Sequence, residues 1–246
     1  MKILQIGCGA MGAPIYKEIC KKYSNIRVLE KNSAPFNEIF DVIIIAVKPQ
    51  DFPSVAEIIN KISAVNTVIF SIMAGISLQC LAKNITKTAN FIRIMPNLGM
   101  VTENGIALVL DKINSPFTRQ FIADIFSENS TIMYTKSDDE IDKYTPVTGS
   151  GMAYFLLLGK MIQDYAASNF EISQQDSAKI ACKLLQNAAE MAQKSSFDEA
   201  IAKIASKGGI TQCAIDNMQE GMRKSLENGL KSGEERAFEL SKLLDK

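Results

Sequence analysis

The sequence predicts an α/β fold in two parts, a mostly parallel sheet with helices on both faces and, after it, an all-α segment. Three observations predict it. Short, continuously apolar runs alternate with helix-patterned stretches through the first 136 residues, glycines at positions 7, 9 and 12 break the chain straight after the first run, and from Ser137 to Lys246 no β-rich run occurs. Continuous apolar strands between helices belong to a sheet covered on both sides.

The elements follow in order. Ile3 to Ile6 reads as a fully buried strand, Gly7 to Gly12 as a turn, Met11 to about Tyr23 as a helix and Ile26 to Leu29 as a second strand, which together make a βαβ unit. Asp41 to Val47 (DVIIIAV), Thr67 to Ile72 (TVIFSI) and Asn90 to Met95 (NFIRIM) are further strands, separated by helices from about Asp51 and after Ser77. GIALVL and Thr131 to Thr135 (TIMYT) are the last strands, with a helix over Pro116 to Phe126 between them. The texture then changes: the very apolar Gly151 to Ile162 is followed by amphipathic stretches over Gln175 to Ala192 and Gln212 to Leu226. The predicted division is therefore 1–136 and 137–246. A helix as apolar as Gly151 to Ile162 needs cover on most faces, and dimerisation through this segment would supply it.

Composition narrows the function. Lys plus Arg and Asp plus Glu number 27 each, with no basic run, so the attraction that nucleic acid or an anionic membrane would use is missing. The N-terminal apolar stretch is too short for a signal segment and no run reaches the ~20 residues of a membrane span, which points to the cytoplasm. Five cysteines without CxxC spacing suit reduced thiols rather than disulfides or a metal site, and Cys20, Cys80 and Cys182 read as packing residues. The chain has no histidine, which excludes Ser-His-Asp, Cys-His and HExxH chemistry.

In GCGAMG, Gly7 permits a tight turn, Gly9 lets the backbone approach a pyrophosphate and Gly12 lets the helix pack on the strand. A phosphate would sit at the helix N-terminus. The motif follows a strand, opens a helix and has Glu30 at the end of the next strand, so a Rossmann-like dinucleotide-binding domain is the reading. A carboxylate at Glu30 suits the ribose hydroxyl of NAD, Lys31 beside it suits a 2′-phosphate, and a plain surface pair is the alternative. AVKPQD (Ala46 to Asp51), SIMAG (Ser71 to Gly75) and RIMPN (Arg93 to Asn97) end three strands that this topology brings to one crevice. In IASKGGITQCAI (Ile204 to Ile215), two glycines precede Thr211 at a helix start, where free N–H groups could hold a carboxylate; simple helix capping is the alternative.

Taken together, GCGAMG, AVKP, the SxxAG strand end, RxMPN, TGSGMAYFL (Thr148 to Leu156) and SxGGxT resemble pyrroline-5-carboxylate reductase over nearly the whole chain. The resemblance implies NAD(P)H-dependent reduction of 1-pyrroline-5-carboxylate to L-proline, with NADPH as cofactor and NADH possible, in a homodimer or a higher homo-oligomer built through the C-terminal helices. It assigns 1–136 to the dinucleotide and 137–246 to dimerisation and substrate. By position, Ile6, Gly7, Cys8, Gly9, Ala10, Met11, Gly12, Glu30, Lys31, Asn32, Ala46, Val47, Lys48, Pro49, Ile72, Met73 and Ala74 would contact cofactor. Gly208, Gly209, Ile210 and Thr211 would hold substrate, and Ser150 would open the helix flanking the nicotinamide.

The departures are specific. Between Glu30 and Asp41 the chain keeps only KNSAPFNEIF, where the family has a helix and another strand, and Met152, Lys207 and Ile210 replace the usual residues of GSGPAY and SPGGTT. Absence of histidine fits a protonated cyclic imine whose proton comes from solvent, with the cofactor carrying hydride and the protein supplying geometry. The N–H groups at Gly209 to Thr211 would bind the substrate carboxylate and the Thr211 hydroxyl would orient the ring nitrogen. The competing readings are a β-hydroxyacid dehydrogenase or imine reductase, for which Lys160 is the nearest candidate base, and a non-catalytic dinucleotide-binding regulator.

Overall fold

The computed structural model describes residues 1–244 apart from Asn32 and Pro35. Seven strands form one sheet: β1 (Ile3–Ile6), β2 (Ile26–Leu29), β3 (Val42–Ile45), β4 (Val68–Ser71), β5 (Asn90–Pro96), β6 (Ile106–Asp111) and β7 (Thr131–Tyr134). Their order is β2-β1-β3-β4-β5-β6-β7, every pair parallel except β5 with β6. The predicted mostly parallel α/β architecture is what the chain adopts.

Alternation along the strands builds two cores. Ile43 and Ile45 face one side with Phe52, Ile59 and Ile62 of α2 (Phe52–Ile62) and Leu81 of α3 (Leu78–Asn84). Val42 and Ile44 face the other with Ile15 and Ile19 of α1 (Gly12–Cys20) and Phe121, Ile122 and Ile125 of α4 (Pro116–Ile125). Helix starts follow capping chemistry: the Ser77 side chain accepts from the Cys80 N–H at the start of α3, and Ser115 and Thr118 form a reciprocal capping box at α4. Helix α1 has no side-chain cap; Met11 stands at its N-cap position.

The chain divides into two compact units, Met1–Ser150 with Ser232–Lys246, and Gly151–Lys231. The first unit thus runs beyond Ser137, where the sequence changes texture, because packing and charge both hold the segment after it: Ile141 is fully buried in the same core as Ile43 and Ile45. Helix α5 (Asp138–Thr148) is tied to β5 by Arg93, which is 1% exposed and pairs with Asp138 at 2.8 Å and Asp142 at 2.6 Å. In the second unit, α6 (Gly151–Asn169) packs on α7 (Gln174–Ala192), and α8 (Phe197–Ile204) leads to α9 (Ile210–Leu244), whose C-terminal part from Ser232 belongs to the first unit. Among the described residues no helix is long and apolar enough to cross a membrane. Cys80 is buried as the sequence suggests, but Cys20 and Cys182 are exposed on this chain: Cys20 follows the buried Ile19 at the end of α1, and Cys182 follows the buried Ala181 on α7, so each falls off the buried side of its helix.

Candidate functional site

The cofactor residues are placed by three strand ends. In register, Ile6 of β1 lies between Leu29 of β2 and Ile45 of β3, so the residues that follow each strand emerge side by side at the C-terminal edge of the sheet. The Gly7 N–H donates to the Leu29 carbonyl at 2.9 Å and the Ala46 N–H to the Ile6 carbonyl at 2.8 Å, which fixes the glycine turn between its two neighbours. A cavity of about 580 Å³ opens there. Of the residues predicted to hold cofactor, Ile6, Gly7, Cys8, Gly9, Glu30, Lys31, Ala46, Val47 and Lys48 line it.

The three glycines have three different physical grounds. Gly7 has φ +92°, and a Cβ there would stand 2.7 Å from the Ala46 carbonyl oxygen. A Cβ on Gly12 would stand 2.6 Å from the Gly7 carbonyl oxygen, so this glycine permits helix α1 to lie against the strand. At Gly9 nothing lies within 4 Å of that position. The space beside Gly9 is therefore free for a ligand rather than filled by the protein.

The turn is held from below by Gln5, which is fully buried on β1. Its Nε2 donates to the carbonyls of Gly7 and Gly12, both at 2.9 Å. A peptide whose carbonyl points inward points its N–H outward, so this grip turns the Cys8 N–H away from the strand. Among the described residues none accepts a hydrogen bond from the N–H groups of Cys8, Gly9 or Ala10. Free N–H groups at an uncapped helix start, beside open space, fit a pyrophosphate. Burial, then the Glu30 charge, push the Cys8 thiol up from its ordinary value, so it stands neutral next to that position.

The other expected residues lie around this cavity or away from it. Pro49, Ala10, Met11, Gly12, Ile72, Met73 and Ala74 are not among the residues lining this cavity. Ile72 and Met73 are buried, and Met73 belongs to the core, so any contact from them would go through backbone; Ala74 is exposed. Asn32 lies outside the described residues. Arg93 and Asn97, which the sequence brings to the common crevice, serve α5 instead: Arg93 by its two ion pairs, and Asn97 by donating to the Thr148 carbonyl at 2.9 Å. The Arg93 charge is thus paired within the fold, although among the described residues its buried Nε has no acceptor, and the Asn97 amide is used within the fold as well.

Sequence reasoning stopped at Asp51, the last residue of AVKPQD, and missed the wall that continues from it through Ser54, Val55 and Ile58. These four lie at i, i+3, i+4 and i+7 around the start of α2, a single helical stripe that the AVKPQD motif could have been extended to find. Asp51 also sits 3.4 Å from the Lys31 ammonium.

In the second unit, Gly208 to Thr211 form the turn into α9. Gly208 has φ +73°, the Gly209 N–H donates to the Ser206 carbonyl at 2.9 Å, and a Cβ on Gly209 would press on the Ser206 Oγ at 2.6 Å. Ile210 is 92% exposed, and Thr211, the second residue of a 35-residue helix, is half-buried. This is a helix N-terminus with its first N–H groups turned outward, the electrostatic setting for a carboxylate. Ser150 is exposed immediately before α6, and its N–H donates to the Thr145 carbonyl at 3.1 Å. Lys160, the alternative base, is on α6 and paired with Asp164 at 2.6 Å.

Residues 138–240 match the family model described as pyrroline-5-carboxylate reductase dimerisation. A curated pyrroline-5-carboxylate reductase from Pseudomonas aeruginosa is 27% identical over 98% of this chain and 88% of its own length. One from Methanosarcina acetivorans is 28% identical over 96% of this chain and 88% of its own. Among solved structures, a pyrroline-5-carboxylate reductase from Coxiella burnetii superposes with TM-score 0.85 at 23% identity, covering 98% of each chain. Pyrroline carboxylate reductase from Plasmodium falciparum with NADP bound gives TM-score 0.83 at 21% identity, again over 98% of each.

Proposed function

We infer that this chain, a member of the pyrroline-5-carboxylate reductase family, reduces 1-pyrroline-5-carboxylate to L-proline with hydride from NAD(P)H, the last step of proline biosynthesis. The observation that carries the reading is full-length likeness to such reductases, joined to a glycine turn whose N–H groups and open side face a cavity. The protein is a homo-oligomer, and we assign it a homodimer, cofactor binding to 1–136 and substrate binding with dimerisation to 137–246. Its free thiols suit a reducing cytoplasm.

The residues present fit a dinucleotide. The free N–H groups of Cys8 and Gly9, which line the cavity, and of Ala10 beside them would hold its pyrophosphate, Glu30 and Lys31 would meet its adenosine side, and Ala46 to Lys48 would bound the site from the end of β3. When bound, the reduced nicotinamide supplies the hydride. The chain's own part is positional and electrostatic. The Gly209 N–H, expected from the sequence to face the substrate, is taken by the Ser206 carbonyl, so the backbone N–H groups at Ile210 and Thr211 bind the substrate carboxylate at the positive end of α9, Gly208 gives the turn its left-handed step, and the Thr211 hydroxyl orients the ring nitrogen. Ser150 would open the helix that flanks the nicotinamide, α6. With no histidine in the chain, solvent supplies the proton that makes the imine electrophilic.

The test is loss of reduced-cofactor absorbance with pyrroline-5-carboxylate, set beside hydroxy acids as controls. Turnover of the imine alone is expected. Thr211→Ala should lower kcat/KM about 10-fold or more, the cost of removing one preorganised group. Unchanged kinetics would remove Thr211 from the site, and cofactor binding without turnover would make the chain a regulator.

A further inference from the structure

We propose that Glu30 makes this protein prefer NADH to NADPH, its carboxylate accepting the adenosine ribose 2′-hydroxyl and repelling a 2′-phosphate. The proposal rests on the cavity being the nicotinamide-cofactor site, and it deepens that reading by choosing between two cofactors.

Position comes first. Glu30 directly follows β2, whose last residue, Leu29, accepts the Gly7 N–H, so Glu30 stands next to the glycine turn and lines the same cavity. The chain then folds back, with the Ser33 N–H donating to the Glu30 carbonyl at 3.0 Å. Strand β2 is the edge of the sheet, and among the described residues no strand or helix lies between it and β3 in sequence. The described polar side chains lining the cavity with Glu30 are Lys31 and Ser33 from the segment after β2, and Lys48, Gln50, Asp51 and Ser54 from the segment after β3. In a Rossmann-like unit, an acid at the end of the second strand is the group that meets the ribose diol.

Charge comes second. A 2′-phosphate adds about two negative charges and is best met by the fork of an arginine. No arginine lines the cavity. Arg27, on the same strand, is engaged elsewhere, 2.6 Å from Glu38 and stacked 5.3 Å above the Phe36 ring. Lys31 is shared with Asp51, a largely exposed pair of little strength whose carboxylate nevertheless brings a second negative charge to this end. Lys48 follows β3, two strand spacings from β2 across β1, about 10 Å away in backbone terms. The lining charges balance, Glu30 and Asp51 against Lys31 and Lys48, so no net positive field draws a phosphate, and the carboxylate that directly ends β2 favours a neutral diol.

The experiment is fluorescence titration of the purified chain with NADH and with NADPH, repeated on Glu30→Gln, a substitution at an exposed position that threatens no packing. NADH should bind about tenfold or more tightly than NADPH, and Glu30→Gln should bring the two within about threefold, chiefly by tightening NADPH. Tighter NADPH binding by the unsubstituted protein, or a ratio that Glu30→Gln leaves unmoved, overturns the proposal while leaving the reductase reading intact. Binding of neither cofactor overturns both.

Discussion

At the scale of single residues, the glycine turn separates roles that its motif merges. Gly9→Val adds a side chain to open space, so the protein should keep its thermal midpoint and lose measurable cofactor binding; retained affinity in a titration would dismiss the turn as a phosphate site. Gly12→Val drives carbon into the Gly7 carbonyl and should instead lower stability, because helix α1 must move off the strand. Gln5→Leu leaves the Gly7 and Gly12 carbonyls without their buried donor. It should cost about 1–3 kcal/mol in urea unfolding and weaken cofactor binding as well; a loss of stability with unchanged affinity would deny Gln5 any part in aiming the turn. The glycines were legible because each answers a backbone constraint that spacing reveals. Gln5 was not, since a polar residue inside ILQI reads only as an interruption of a buried strand until its two acceptors are seen.

Between elements, polar ties decide how well helices hold their places. Asp124 on α4 accepts from Lys22 at 2.7 Å and from the Tyr23 hydroxyl, both just beyond α1, the helix that begins at the glycine turn. Burial pushes the Asp124 carboxyl up, but the hydrogen bonds from Lys22, Tyr23 and Gln120 outweigh it and hold it below the ordinary range. Burial and the Asp124 hydrogen bond push the Tyr23 phenol up to about 12. A carboxyl depressed in the folded state gives stability that is present above its unfolded pKa of about 4 and lost as pH falls through the folded value. Asp124→Ala should therefore destabilise the protein by about 1–3 kcal/mol at neutral pH, with the gap to the unsubstituted protein narrowing below about pH 4. A gap that stays constant down to acid would remove the charge from the account. Strands were the readable elements here, because four-residue runs such as VIII admit one reading. Helix α9 was read only over its first part. Gly221, Gly229 and Gly233 look like breakers, each costing about 1 kcal/mol, yet the helix continues through them, and at Gly233 an added Cβ would stand 3.2 Å from the Pro146 side chain, so the missing side chain leaves room for that contact.

Over the whole molecule, the two units carry different kinds of surface. The first buries both faces of its sheet under helices and leaves its apolar residues mostly inside. The second leaves Phe155, Leu156, Leu157, Met161 and Tyr165 of α6 and Leu184 of α7 about half or more exposed. Burial within one chain cannot account for them, since α6 has only Gly159 and Ala166 buried. Patches of this kind on a folded protein mark association surfaces, and they fall inside the residues that match the dimerisation family. A carboxylate placed among them stays hydrated in a monomer but must be desolvated, unpaired, in an interface, at a cost of several kcal/mol. The double substitution Phe155→Glu with Leu156→Glu should therefore reduce the light-scattering mass to that of one chain, while the sheet-containing unit keeps cofactor affinity through the intact glycine turn. An oligomer of unchanged mass would place the interface elsewhere on the second unit; loss of cofactor binding together with the oligomer would mean that the partner chain supports the turn.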